Sequence, residues 1–254
     1  LKAFTRRAKA SPVDQNETGL TGAVRGIIFD LDGTLYHMRW FMKPLLTLRL
    51  MPHFMRLPRY MVIRGRHAGV DFGSGEALLH RLAADLAGGE DHPALRRCHD
   101  WILNRFYRAF AEIMPLLRGS RPGLVDTLSR LRARGVRLGV LSDFDWVYPR
   151  LQRLGVDPSL FDTLSSSESS GCLKPSARSF HAIAAEWNLP YHEILVVGDR
   201  LDTDGTGAAA AGMQFLRISD NAARGGLCWP ALKAILEQLP ETGRGKAHSA
   251  SGGA

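Results

Sequence analysis

The chain has 254 residues, 45% of them apolar and 23% charged, the balance of an ordinary soluble globular protein with room for a substantial core. No apolar run approaches the roughly 20 residues of a membrane-spanning helix. Three cysteines, Cys98, Cys172 and Cys228, are too widely and irregularly spaced for a disulfide framework or a zinc site.

A net charge of +8 favours anionic partners. The excess is uneven: residues 37–70 include Arg39, Lys43, Arg49, Arg56, Arg59, Arg64 and Arg66 and no Asp or Glu. Residues 1–23 lack the apolar centre of a secretory signal, and 241–254 are small and polar; both ends are expected to be disordered tails. The missing export signal and sparse cysteines point to a cytoplasmic protein. Because the chain begins with Leu1, further sequence is expected upstream.

The first expected strand spans 24–30. It ends in Asp30-Leu31-Asp32-Gly33-Thr34. About 100 residues of helical and irregular character follow. Leu79, Leu82 and Leu86 recur at helical spacing there, and Ile102, Phe106, Phe110, Ile113 and Leu117 predict one long amphipathic helix. Pro122 and Gly135 bracket a helix bearing Leu124, Leu128 and Leu131. A strand at 136–141 runs into Ser142-Asp143. Next come a helix near 146–154 and a weak strand around 161–164. Ser176 is expected to cap a helix that buries Phe180, Ile183, Ala184 and Trp187. The strand 194–197 ends in Gly198-Asp199. A small-residue helix at 207–211, a strand at 214–218 and a last helix at 230–239 complete the pattern. Strands alternating with helices predict an α/β fold, a doubly wound parallel sheet with helices on both faces.

Ligands of such sheets gather at the carboxyl ends of the strands. In an extended segment Asp30 and Asp32 point the same way. Two carboxylates that close repel unless a cation or a proton compensates, so the pair implies a divalent metal, an acid/base pair, or both. Asp202-x-Asp204-Gly205 is not a calcium loop of the EF-hand type, because Arg200 and Ala211 stand where that loop needs carboxylates.

Four stretches occur in one order: Asp30-Leu31-Asp32-Gly33-Thr34, Leu141-Ser142-Asp143, Lys174-Pro175, and Val197-Gly198-Asp199 with Asp204. In these motifs the chain resembles the haloacid-dehalogenase-like (HAD) superfamily of hydrolases, in its phosphatase branch. The resemblance covers about 25–36 and 115–218. It implies a Rossmann-like hydrolase core at 24–36 and 118–240, with an inserted helical cap at 37–117.

The resemblance also implies roles. Asp30 would be the nucleophile and Asp32 the general acid and base, with Lys174 stabilising the transition state. Mg²⁺ would bind Asp30, Asp199 and the backbone carbonyl of Asp32, with Asp204 orienting the metal site rather than ligating directly. Ser142, Asp143, Gly33 and Thr34 fall on the substrate-binding side. Ser142 would offer a hydroxyl to phosphate, and Thr34 is also a candidate for loop support.

The expected activity is Mg²⁺-dependent hydrolysis of a small phosphorylated metabolite through an aspartyl-phosphate, by a monomer or homodimer. A phosphomutase shares these core residues. A dehalogenase of the same superfamily generally lacks Asp32-Gly33. The basic segment at 40–50 fits a packed cap with solvated arginines, a surface attracting a polyanionic substrate, or an interfacial helix on anionic lipid. In the last two cases the rival function is a binding protein. No nucleic-acid motif accompanies the charge.

Overall fold

The computed structural model describes residues 20–241 apart from 222 and 224. Most of both expected tails therefore lies outside the described residues. Five strands, β1 (Gly26–Phe29), β2 (Arg137–Ser142), β3 (Thr163–Ser166), β4 (Ile194–Gly198) and β5 (Gln214–Arg217), form one sheet. Its order is β3-β2-β1-β4-β5 and every pairing is parallel. All four residues of β1 and all five of β4 are buried, as the continuous apolar runs of a parallel sheet require.

Alternation along the strands divides the core into two layers. Ile27, Phe29, Leu138, Val140, Leu195 and Val197 face one side. There they join α6 (Leu124–Ala133), α7 (Val147–Leu154) and α10 (Trp229–Gln238). Ile28, Leu141, Ile194 and Val196 face the other, against α8 (Arg178–Trp187) and α9 (Thr206–Ala210). The sheet is doubly wound, as expected. Gly26 and Gly139 lie under the Trp187 ring, where a Cβ would come within 2.8 Å and 2.7 Å of ring carbons.

Between β1 and β2 the chain is helical. It forms α1 (Met42–Arg49), α2 (Arg56–Arg66), α3 (Gly75–Ala87), α4 (Leu95–Asp100) and α5 (Tyr107–Ile113). The stripe at 102–117 is buried as predicted, but the helix is not uniform. A π-helical turn, Trp101–Phe106, joins α4 to α5, and a 3₁₀ turn, Met114–Leu117, ends it. Periodicity reports which side is buried; it cannot register one extra residue per turn. The insertion shares its apolar cluster with the first layer of the core.

Two local expectations shift. The chain enters α8 through Ala177, and the Ser176 hydroxyl lies one residue early, accepting from the Arg178 N–H at 3.4 Å. The strand β1 stops at Phe29, so Asp32 sits in the following turn. Asp30 and Asp32 therefore do not share one extended segment, and their carboxylates have different hydrogen-bond partners, although the Asp32 charge still acts on Asp30.

Candidate active site

The sheet order changes direction at β1, where β2 and β4 flank it on opposite sides. A crevice opens at the carboxyl ends of such strands. Asp30 follows β1, Ser142 ends β2 and Asp199 follows β4. The amide of Asp30 donates to the Val197 carbonyl at 2.8 Å, tying the first motif to β4.

Asp30 is 5% exposed. Its Oδ1 accepts from Lys174 Nζ at 2.9 Å, and its Oδ2 from the Thr34 hydroxyl at 3.2 Å. The same ammonium reaches Asp204 Oδ1 at 2.7 Å, while the Arg200 amide donates to Asp204 Oδ2 at 3.2 Å. Asp30, Asp199 and Asp204 each offer a carboxylate oxygen, and the three lie within 4.8 Å of one another.

Burial pushes the Asp30 carboxyl well above the ordinary carboxylate value; Lys174 pulls it back, while Asp204, Asp32 and Asp143 push it further up. Burial also raises Asp204, against Lys174. Asp199 rises to about 6, through burial and then the charge of Asp204. Burial would lower the Lys174 ammonium, but Asp204 and Asp30 outweigh it and hold it above its usual value. Three carboxylates around one ammonium leave excess negative charge, the donor set a hard divalent cation takes. The residues thus fit Mg²⁺ or a similar ion.

Gly33 is needed beside this cluster. Its φ is +87°, and a Cβ there would lie 2.5 Å from Asp199 Oδ2. Gly198 is constrained in the same way, since its Cβ would lie 2.3 Å from Asp204 Oδ2. The buried Thr34 supports the loop by its bond to Asp30.

Asp32 faces a second group. Its carboxylate pairs with the buried Arg150 and accepts from the Tyr36 hydroxyl. Ser142 Oγ lies 3.4 Å from Asp32 Oδ2 and accepts from Arg150 Nη1 at 3.0 Å and from the Phe144 amide at 3.2 Å. Burial and the Asp32 charge raise the Tyr36 phenol. The Arg150 guanidinium lies over the Phe110 ring, 4.2 Å from its centroid, so the insertion closes over this group. Asp143 contributes its carbonyl, which accepts from Arg64 Nη2 at 2.7 Å and Ser167 Oγ at 3.2 Å.

Sequence reasoning missed four residues. Arg150 and Arg64 sit on the apolar stripes of their helices, with Val147, Leu151 and Leu154 and with Leu57, Tyr60 and Ile63. A charge on a buried stripe is a readable signal. Arg121 offered none, although it is fully buried. It donates to the carbonyls of Thr34 and Gly33, both at 2.6 Å, and pairs with Asp220 at 2.7 Å. Glu168 is also buried. It accepts from Tyr60 OH at 2.9 Å and the Asp145 amide at 2.8 Å, and from Arg64 and Tyr107 of the insertion.

The model of the family described as haloacid dehalogenase-like hydrolase matches residues 24–212. A glyceraldehyde 3-phosphate phosphatase of Methanocaldococcus jannaschii is 28% identical over 207 residues, 77% of this chain and 85% of that protein. One from Methanopyrus kandleri is 32% identical over 145 residues, 56% and 57% of the two chains. Among solved structures, the HAD-hydrolase YfnB of Bacillus subtilis, in a magnesium-bound form, is similar with a TM-score of 0.58 and 18% identity over 85% of this chain and 99% of that one. A HAD phosphatase of Thermococcus onnurineus has a TM-score of 0.55 and 21% identity, covering 86% and 100%. These two likenesses bear on the fold. The motifs in order, the sheet that gathers them and the family match over most of the chain lead to one assignment: the chain belongs to the haloacid dehalogenase-like hydrolase family and is an enzyme of it.

Proposed function

We propose that the protein is a Mg²⁺-dependent phosphomonoesterase acting on a small organic phosphate through an aspartyl-phosphate. The observation that carries this reading is the convergence of Asp30, Asp199 and Asp204 around Lys174 at the ends of adjacent strands. Asp30, held by Thr34 and Lys174, attacks phosphorus and forms the aspartyl-phosphate as the P–O bond to the alkoxide breaks. Asp32 gives its proton to that alkoxide. It then takes one from the water that releases inorganic phosphate and restores Asp30. Lys174 supplies fixed positive charge to the charge-dispersed transition state, and Ser142 a hydroxyl to a phosphoryl oxygen. Gly33 and Asp143 border the substrate side.

Asp30, Asp199 and the Asp32 carbonyl would hold the ion, with Asp204 orienting them. A cation held there would supply screening of the repulsion between the Asp30 carboxylate and a phosphate dianion. Residues 37–117 act as the cap over a core of 24–36 and 118–240, excluding water from the reaction. Glyceraldehyde 3-phosphate, named in the relatives, is the first substrate to assay.

The test is phosphate release from an aryl phosphate and from a panel of phosphorylated metabolites, with Mg²⁺ and with chelator, for wild type and Asp30→Asn. The expected result is metal-dependent turnover that drops at least ~10⁴-fold in the variant. Retained activity in Asp30→Asn, or none in the wild type on every compound, would overturn the reading. Isomerised rather than hydrolysed phosphate would make it a mutase, and halide release without metal a dehalogenase.

A further inference from the structure

On the insertion, away from the acidic cluster, the connection between α1 and α2 meets α4 and the π-helical turn around a cavity of about 520 Å³. That volume lies within the range of small-ligand sites. Arg56, Arg96, Arg97 and Arg105 line it with His53; Asp100 and Trp101 complete the wall. Asp100 is engaged locally, accepting from Asn104 at 2.6 Å. The guanidinium groups of these four arginines form no ion pair or hydrogen bond among the described residues, although those of other arginines of the insertion do. Arg49 and Arg108 share Glu112, Arg81 takes Asp85 and Arg64 takes Glu168. Four unpaired guanidinium groups against the single carboxylate of Asp100 leave the hollow with an excess of positive charge that a bound anion would offset. Trp101 is 1% exposed, and its indole N–H is buried without an acceptor. The turn it opens, Trp101–Phe106, is π-helical, a local form often found at functional sites.

The segment that supplies His53 to this cavity also exposes apolar side chains. Met51 and Met55, 50% and 67% exposed, stand on either side of His53. Leu48 and Trp40 are also exposed in the same segment, which bears seven lysines and arginines and no acid between 37 and 70. A free oligophosphate would use the arginines and leave the methionines without a role. An anionic bilayer uses both: phosphate groups meet the guanidinium cluster while exposed apolar side chains enter the boundary between headgroups and acyl chains.

We propose that the insertion docks on anionic phospholipid membranes, taking a phosphate-bearing headgroup into the cavity of Arg56, Arg96, Arg97 and Arg105 with Met51 and Met55 inserted beside it. The contact is peripheral; no helix among the described residues is long and apolar enough to cross a membrane.

The test is co-sedimentation of the full chain with vesicles of phosphatidylcholine alone, and of phosphatidylcholine mixed with phosphatidylserine or with phosphatidylinositol 4-phosphate, at low and high salt. Wild type should pellet with the anionic vesicles only, and salt should weaken it. Reversing two charges, Arg96→Glu with Arg97→Glu, should lower vesicle partitioning at least ~tenfold. Arg96→Lys with Arg97→Lys should retain binding. Met51→Ser with Met55→Ser should lower it at both salt concentrations. All three double variants should keep wild-type phosphatase activity, so this test fails or succeeds independently of the catalytic reading. Absence of vesicle binding would overturn the proposal, as would binding unchanged by the Glu pair. So would saturable binding of pyrophosphate at these arginines with no binding to any vesicle.

Discussion

Two of the protein's buried ionic clusters are balanced differently. At the junction of insertion and core, Glu168 accepts from Arg64, Tyr60, Tyr107 and the Asp145 amide. One carboxylate meets one guanidinium, and neutral donors take the remaining lone pairs. Burial raises both phenols, Tyr107 to about 12, so they stay protonated as donors. At the strand ends, one ammonium faces Asp30 and Asp204, with Asp199 close by. The first cluster is complete and fastens two parts of the fold together. The second has excess negative charge that only a bound cation or a proton relieves. Balance, rather than burial, separates a structural ion pair from a reactive one.

That contrast can be broken most sharply at Glu168. Replacing it by Gln leaves Arg64 buried without its counter-charge and should cost about 3–5 kcal/mol of stability, read by denaturant unfolding. A loss below about 1 kcal/mol would mean that the junction cluster is not the fastening it resembles. At the other cluster, Lys174→Met should lower kcat about 10²–10³-fold. Because it removes the ammonium that both Asp30 and Asp204 contact, a variant with near-wild-type turnover would separate that charge from the chemistry. Mg²⁺ should raise the melting temperature of the wild type, by about 2.7 kcal/mol of stability at a hundredfold excess over its Kd. It should do so far less in Asp199→Asn, and an equal rise in both would place the ion elsewhere.

The smallest expected effect is a pH dependence. Without divalent cation, the folded Asp199 carboxyl titrates at about 6, above its ordinary value of 3.8. The folded state then binds the proton more tightly than the unfolded state. The stabilisation this gives is complete below the ordinary value and is lost as pH rises through about 6. The stability difference between wild type and Asp199→Asn should therefore fall by about 1 kcal/mol across that window, since partial exposure screens the group. A difference that rises with pH in chelator would show that Asp199 is held ionised instead.

The residues that were legible in the sequence share one property. Asp30, Ser142 and Asp199 each end a buried strand, so an apolar run followed by a polar residue marks them without knowledge of any partner. Lys174 was legible from its place in the ordered motifs, and Asp204 from its spacing after Asp199. The residues that escaped notice act through partners remote along the chain. Arg150 lies 118 positions from Asp32, Arg121 lies 88 from Gly33, and Tyr60 lies 108 from Glu168. The extended-strand argument for Asp32 failed for a related reason. The strand ended at Phe29, one residue before its expected end, and the turn gave the two carboxylates different hydrogen-bond partners.

Sequence by itself determined the alternation of strands and helices, the two apolar layers and the order of the four polar motifs, because periodicity and strand ends are local properties of the chain. Tertiary structure alone decided which charges meet. It paired Lys174 with two aspartates and Arg150 with Asp32, closed Glu168 inside a neutral junction, and gathered four arginines around one hollow. Charge pairing acts at distances of a few ångströms, and only the folded chain brings such distant positions that close.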